Sequence, residues 1–164
     1  MIIPEIKKIL YTTDLSSNAR YAFGYAASLA NRYDAKITIL HVLESLSPSS
    51  NARLASILGD ERLREIADRN LKNVLDAVSE RLDKFCKEVS DEMTECPFIV
   101  ENIVVQEGEP VETILGQSEK SGCDVIVMGT HGHGLLADMM MGSTARRVVR
   151  RSPKPVLVIR LPEG

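Results

Sequence analysis

Polar and apolar positions along the chain fall into two kinds of segment that alternate. Short apolar, β-branched runs read as five strands: "IKKILYTT" (6–13), "AKITILHVL" (35–43), "FIVENIVVQ" (98–106), "CDVIVMG" (123–129) and "KPVLVIRL" (154–161). Between them, apolar residues recur at helical spacing. "NARYAFGYAASLANRY" (18–33), "PVETILGQSEKSG" (110–122, stopped by Gly122) and "GSTARRVVRRS" (142–152) read as helices. Strands alternating with helices predict βαβ units and a parallel sheet. Near-continuous apolar strands predict burial on both faces, an α/β architecture.

A long insertion separates the second and third strands. "ESLSPSSNARLASILGD" (44–60) begins with turn formers and is expected to be a variable loop. Residues 61–89 are expected to form a long amphipathic helix. Leu63, Ile66, Leu71, Val74, Leu75, Val78, Leu82 and Phe85 mark its buried stripe, and its charges mark a solvated face. "SDEMTECP" (90–97) is a polar connector. The pattern contains no internal repeat and no break that divides the chain, so residues 1–164 are expected to be one domain.

Composition narrows the function classes. The net charge of −3 argues against a general nucleic-acid binder, which is usually basic. The 3 cysteines show no CxxC spacing, so reduced thiols are expected in place of a disulfide framework or zinc site. No apolar run approaches the ~18–20 residues of a membrane helix, and "MIIPEIKKIL" lacks a signal-peptide pattern. A cytoplasmic location is the expectation.

The candidate chemistry sits in "GTHGHGLLADMMMGST" (129–144), directly after the fourth strand. Ligands of parallel α/β sheets collect beyond the carboxyl ends of the strands, where the strand order reverses. If the first and fourth strands are neighbours there, Thr12, Thr13 and Asp14 face this glycine loop across one crevice. Gly142-Ser143-Thr144 then opens a helix, whose unpaired N–H groups and dipole suit a phosphate. An ordinary glycine turn with a Ser/Thr cap fits the same residues. The P-loop pattern GxxxxGK[ST] is absent. "GHGLLA" matches GxGxxA but lies in the last βαβ unit instead of the first. His131 and His133 have no cysteine or carboxylate set around them for zinc.

The glycine spacing resembles the signature of the universal stress protein family, in its ATP-binding branch: Gly, two residues, Gly, nine residues, then Gly-Ser. Gly129, Gly132 and Gly142-Ser143 fit it without a gap. "KKILYTTDLSSNARYAFGYAASLA", "ITILHV", "GEPVETIL", "CDVIVMGTHG" and "SPKPVLVIR" resemble further landmarks of the family, so the likeness covers nearly the whole chain. It implies a single five-stranded parallel sheet in the order 3-2-1-4-5. The implied architecture is a Rossmann-like, adenine nucleotide alpha hydrolase-like sandwich with helices on both faces.

The resemblance also implies a ligand, ATP or its relatives AMP and ADP. Asp14 and the main chain near Thr12, Thr13 and Val42 would hold adenine and ribose. Met128 and Gly129 would line the floor. His131, Gly132, Gly142, Ser143 and Thr144 would hold the phosphates, with Mg²⁺ or Mn²⁺ on phosphate oxygens and no side-chain metal ligand. Other roles stay open: Asp14 as a helix cap, Val42 and Met128 as core, His41 as a hydrogen-bonded core histidine. The family's last strand, here Val156–Arg160, pairs across a two-fold axis, which implies a homodimer. Three functions compete: a nucleotide-dependent dimeric switch with at most slow hydrolysis, an ATP-cleaving or adenylyl-transferring enzyme, and a nucleotide-independent dimer. The enzyme lacks an arginine finger in the loop, and only Asp14 and His131 stand as candidate bases.

Overall fold

The computed structural model describes residues 3–44, 52, 53, 55–57, 59–94, 97–130 and 141–160. Five strands, β1 (Lys8–Thr13), β2 (Lys36–Glu44), β3 (Ile99–Gly108), β4 (Val125–Gly129) and β5 (Val156–Ile159), form one sheet. All its pairings are parallel, in the order β3-β2-β1-β4-β5. Helices α1 (Ser17–Tyr33), α2 (Asp60–Glu92), α3 (Pro110–Ser121) and α4 (Ser143–Arg151) accompany it.

Alternation along the buried strands builds two cores. Ile9, Tyr11, Ile37, Ile39, Val125 and Val127 face α1 and α2, while Leu10, Leu40, Ile126 and Met128 face α3 and α4. Small residues on α1 (Ala22, Ala26, Ala27, Ala30) let that helix approach the sheet closely. Phe23 fills the space between them and meets Tyr11, Phe85 and Phe98 edge to face. The Tyr11 hydroxyl donates to the Ala19 carbonyl at 2.6 Å, tying the start of α1 to β1. Burial pushes that phenol's pKa well above the ordinary value. At the opposite end of the sheet, Asp124 Oδ2 accepts the N–H groups of Lys7 and Lys8, fixing the start of β4 against β1.

Helix α3 starts with the Glu109 carboxylate accepting from Glu112 N at 2.8 Å. It ends at Gly122, whose φ of 61° is left-handed and suits a residue without Cβ. The two sheet edges differ. β3 carries a bulge opposite Ile37/Thr38 and a Lys36–Glu101 ion pair at 2.9 Å, features that discourage a further strand. β5 offers partly exposed Val156, Leu157 and Val158 with no charge among them. Burial raises the thiol pKa of Cys123 and pushes that of Cys86 up to about 11, so both stay protonated near neutral pH. Cys96 lies outside the described residues.

Two expectations need correction. Residues 52, 53 and 55–57, read as loop, are helical, and Ser56 Oγ donates to the Arg53 carbonyl. Alanine and arginine favour helix there despite the turn formers before them. The long helix also outruns its stripe. Leu82 and Val89 are buried, but Val74 is 44% exposed. The reason is length: 33 residues span about 50 Å, whereas the 10-residue β3 spans about 33 Å. Leu63 and Ile66 have no described side chains.

The crevice between β1 and β4

The sheet divides at its carboxyl end. The β1–β4 ladder stops at Tyr11↔Val127. Beyond it, β1 stays with β2 as far as Thr13↔His41, and β4 stays with β5 as far as Gly129↔Ile159. Thr12 and Thr13 therefore part from Met128 and Gly129, and a crevice opens between them. The chain after β1 goes to α1 on one face, and the chain after β4 goes to α4 on the other. This is the reversal point at which open α/β sheets bind ligands.

One wall is the β1–α1 turn. Thr13 Oγ1 accepts from Leu15 N at 3.1 Å, and Asp14 Oδ1 accepts from Ser16 N at 3.0 Å. Leu15 is left-handed, with φ of 63°, which costs a residue with Cβ about 1–2 kcal/mol. His41 Nδ1 donates to the Thr13 carbonyl at 2.8 Å, so His41 is the hydrogen-bonded histidine expected from its place in β2. From the opposite side, Arg81 Nη2 of α2 donates to the Leu15 carbonyl at 3.2 Å. A groove of about 500 Å³ lies below this turn, between α1 and α2, with Ala19, Leu82 and Phe85 in its walls; it faces away from Met128. The cap residue of α1 is Ser16. Asp14 accepts that residue's own N–H and so shapes the turn that leads into the helix.

The other wall is the start of α4. Thr130 N donates to the Ile159 carbonyl at 2.9 Å, and Gly142 N donates to the Thr130 carbonyl at 2.8 Å. The chain that leaves β4 thus returns to it, which sets Gly142, Ser143 and Thr144 beside Gly129. Gly142 is the cap residue of α4, with no side-chain cap and no acidic residue in the first turn. First-turn amides of a helix have no intrahelical partner and suit an anionic acceptor. His131 and Gly132 lie outside the described residues, as does His133.

The floor is apolar. Met128 is buried against Leu10, Leu40, Ile126, Ala145 and Val148, and Val42 packs partly buried against the same cluster. Both are core residues whose main chain reaches the strand ends. The arginines of α4 split into two pairs. Arg147 bonds Glu109 at 3.0 Å, and Arg151 bonds both Glu112 oxygens, holding that carboxyl below the usual range. Arg146 and Arg150 are exposed on the other side of the helix. Among the described residues, no group of three or more His, Cys, Asp or Glu could hold a metal ion. No described helix is long and apolar enough to cross a membrane.

Sequence reading did not anticipate Thr130 or Arg81. Thr130 follows Gly129 directly, and its value lies in a carbonyl that no side-chain pattern signals. Arg81 is 66 residues from its partner.

Comparison with known proteins places this geometry. The chain is 29% identical over 154 residues to the universal stress protein MJ0577 of Methanocaldococcus jannaschii, spanning 94% of each chain. It superposes on the solved structure of MJ0577 with a TM-score of 0.72, covering 98% of this chain and 100% of the other. Two more distant structures share the fold, each at 19% identity. One is a universal stress protein in complex with cAMP, with a TM-score of 0.56 over 96% of this chain and 98% of the other. The second is the Archaeoglobus fulgidus universal stress protein in complex with dAMP, with a TM-score of 0.53 over 94% and 97%. The model of the Universal stress protein family matches residues 5–160, and the chain belongs to that family.

Proposed function

We propose that this chain binds an adenine nucleotide, ATP foremost, across the β1–β4 crevice and acts as a nucleotide-dependent dimeric switch. The observation that carries this reading is the Gly142–Thr130 hydrogen bond, which brings the start of α4 to the end of β4, opposite Asp14. Gly142, Ser143 and Thr144 would bind phosphates, joined by His131 and Gly132. Asp14, with the main chain of Thr12, Thr13 and Val42, would hold ribose and adenine above Met128 and Gly129. Mg²⁺ or Mn²⁺ would ride on the phosphates. The cAMP and dAMP complexes of relatives support an adenine ligand. Residues 1–164 act in this reading as one cytoplasmic domain with at most slow hydrolysis.

Mass spectrometry of small molecules released from freshly purified protein tests the ligand. An adenine nucleotide at close to one per chain is expected. Preparations free of nucleotide that also fail to bind added ATP would refute the reading.

The switch needs a partner copy, and the β5 edge, with its partly exposed Val156, Leu157 and Val158, is the surface for it. Light scattering at micromolar concentration is expected to give twice the 18.1 kDa chain mass. A mass of one chain would remove the dimer from the proposal.

A further inference from the structure

We propose that His41 is a positioning residue which, with Arg81, clamps the β1–α1 turn and fixes where the Asp14 carboxylate stands. The proposal rests on the nucleotide reading above and adds to it two residues that hold the β1–α1 turn.

The carbonyls immediately before and after Asp14 are each held from outside the turn. His41 of β2 takes the Thr13 carbonyl, and Arg81 of α2 takes the Leu15 carbonyl. The bonds from Leu15 N to Thr13 Oγ1 and from Ser16 N to Asp14 Oδ1 are local and move with the turn. Only outside contacts tie it to the frame. The turn also needs holding, because Leu15 sits in a left-handed conformation unfavourable for its side chain. His41 is the register partner of Thr13 in the β1–β2 ladder, so its ring is delivered by the sheet itself. Arg81 belongs to the part of α2 that packs on the sheet, next to buried Leu82. Strand and helix thus approach Asp14 from two directions. A shift of either peptide plane would rotate the carboxylate relative to the crevice.

Calorimetric titration with ATP of folded variants at 25 °C tests this. His41→Leu keeps the bulk and removes the donor, and roughly 10-fold weaker binding is expected. His41→Asn restores an N–H close to the position of Nδ1 and should recover most of the loss. Arg81→Met, at an exposed bond, should weaken binding by about 3-fold. The decisive measurement is a double-mutant cycle: with Asp14→Ala present, His41→Leu should cause little further loss, because both act through one carboxylate. A histidine that only stabilised the fold would lower the melting temperature and show no such coupling. Unchanged affinity in His41→Leu, or full additivity with Asp14→Ala, overturns the clamp while nucleotide binding stands. If His41→Leu does not fold, the Arg81→Met and Asp14→Ala cycle decides, and additivity there overturns it. Wild-type protein that binds no adenine nucleotide overturns both proposals.

Discussion

Gly142→Asp is expected to weaken adenine-nucleotide binding by at least about 100-fold while leaving folding stability within about 1 kcal/mol of wild type. The two halves of this result have separate causes. Gly142 has φ −54° and ψ 154°, a conformation open to any L residue, so the backbone does not require glycine there. Aspartate is a preferred N-cap, and exchanging it with glycine changes stability by only a few tenths of a kcal/mol. The new carboxylate would, however, take the amides that the phosphates need and set a negative charge beside them. Two like charges 4 Å apart repel by about 4 kcal/mol at an effective dielectric of 20. Half of that, together with the lost amides, reaches two decades in affinity. Gly142→Ala, which adds bulk without charge, should lose far less. Titration calorimetry and thermal melts on the three proteins separate the outcomes. Normal binding by Gly142→Asp would move the phosphates elsewhere, and a joint collapse of binding and melting temperature would make Gly142 structural.

Phe23→Ala is expected to destabilise the fold by about 4 kcal/mol. For a chain of this size, that lowers the melting temperature by roughly 8–16 °C. Phe23 is fully buried, and its ring lies 5.1 Å from Tyr11, 5.1 Å from Phe85 and 5.2 Å from Phe98, all edge to face. All 3 phenylalanines of the chain meet at this point. They join α1, α2 and the entry to β3, with Tyr11 adding β1. Truncation removes the apolar area, leaves a cavity and forfeits three favourable ring geometries, each worth about 0.5–1.5 kcal/mol beyond burial. Phe23→Leu, which refills part of the space, should lose less than half as much. Guanidinium or thermal unfolding measures both. A loss below about 1 kcal/mol in Phe23→Ala would show that the site collapses freely and that the cluster is not a keystone.

The strands and three helices around them were legible because their signals are local. A parallel strand covered on both faces needs a near-continuous apolar run, as in β4, while β3 at the sheet edge breaks its run at Glu101-Asn102. Gly122 announced the end of α3, and Gly142-Ser143 announced the start of α4. The strand order was legible only through family resemblance, since periodicity does not say which strands are neighbours. The stripe on α2 tells which side of the helix is apolar, not how far the sheet beneath it extends, so the exposure of Val74 went unread. The placement of Asp14 was illegible in detail. Its turn depends on His41, 28 residues from the carbonyl it holds, and on Arg81 farther away. Neither contact leaves a local pattern.

The return of the chain from Gly142 N to the Thr130 carbonyl has a consequence for how this protein can change over time. Donor and acceptor are both main-chain groups, so a substitution at either position, proline at 142 aside, leaves the bond available. The helix start therefore stays where the sheet puts it while the side chains around it change. That division lets side chains at the crevice change without first rebuilding the frame.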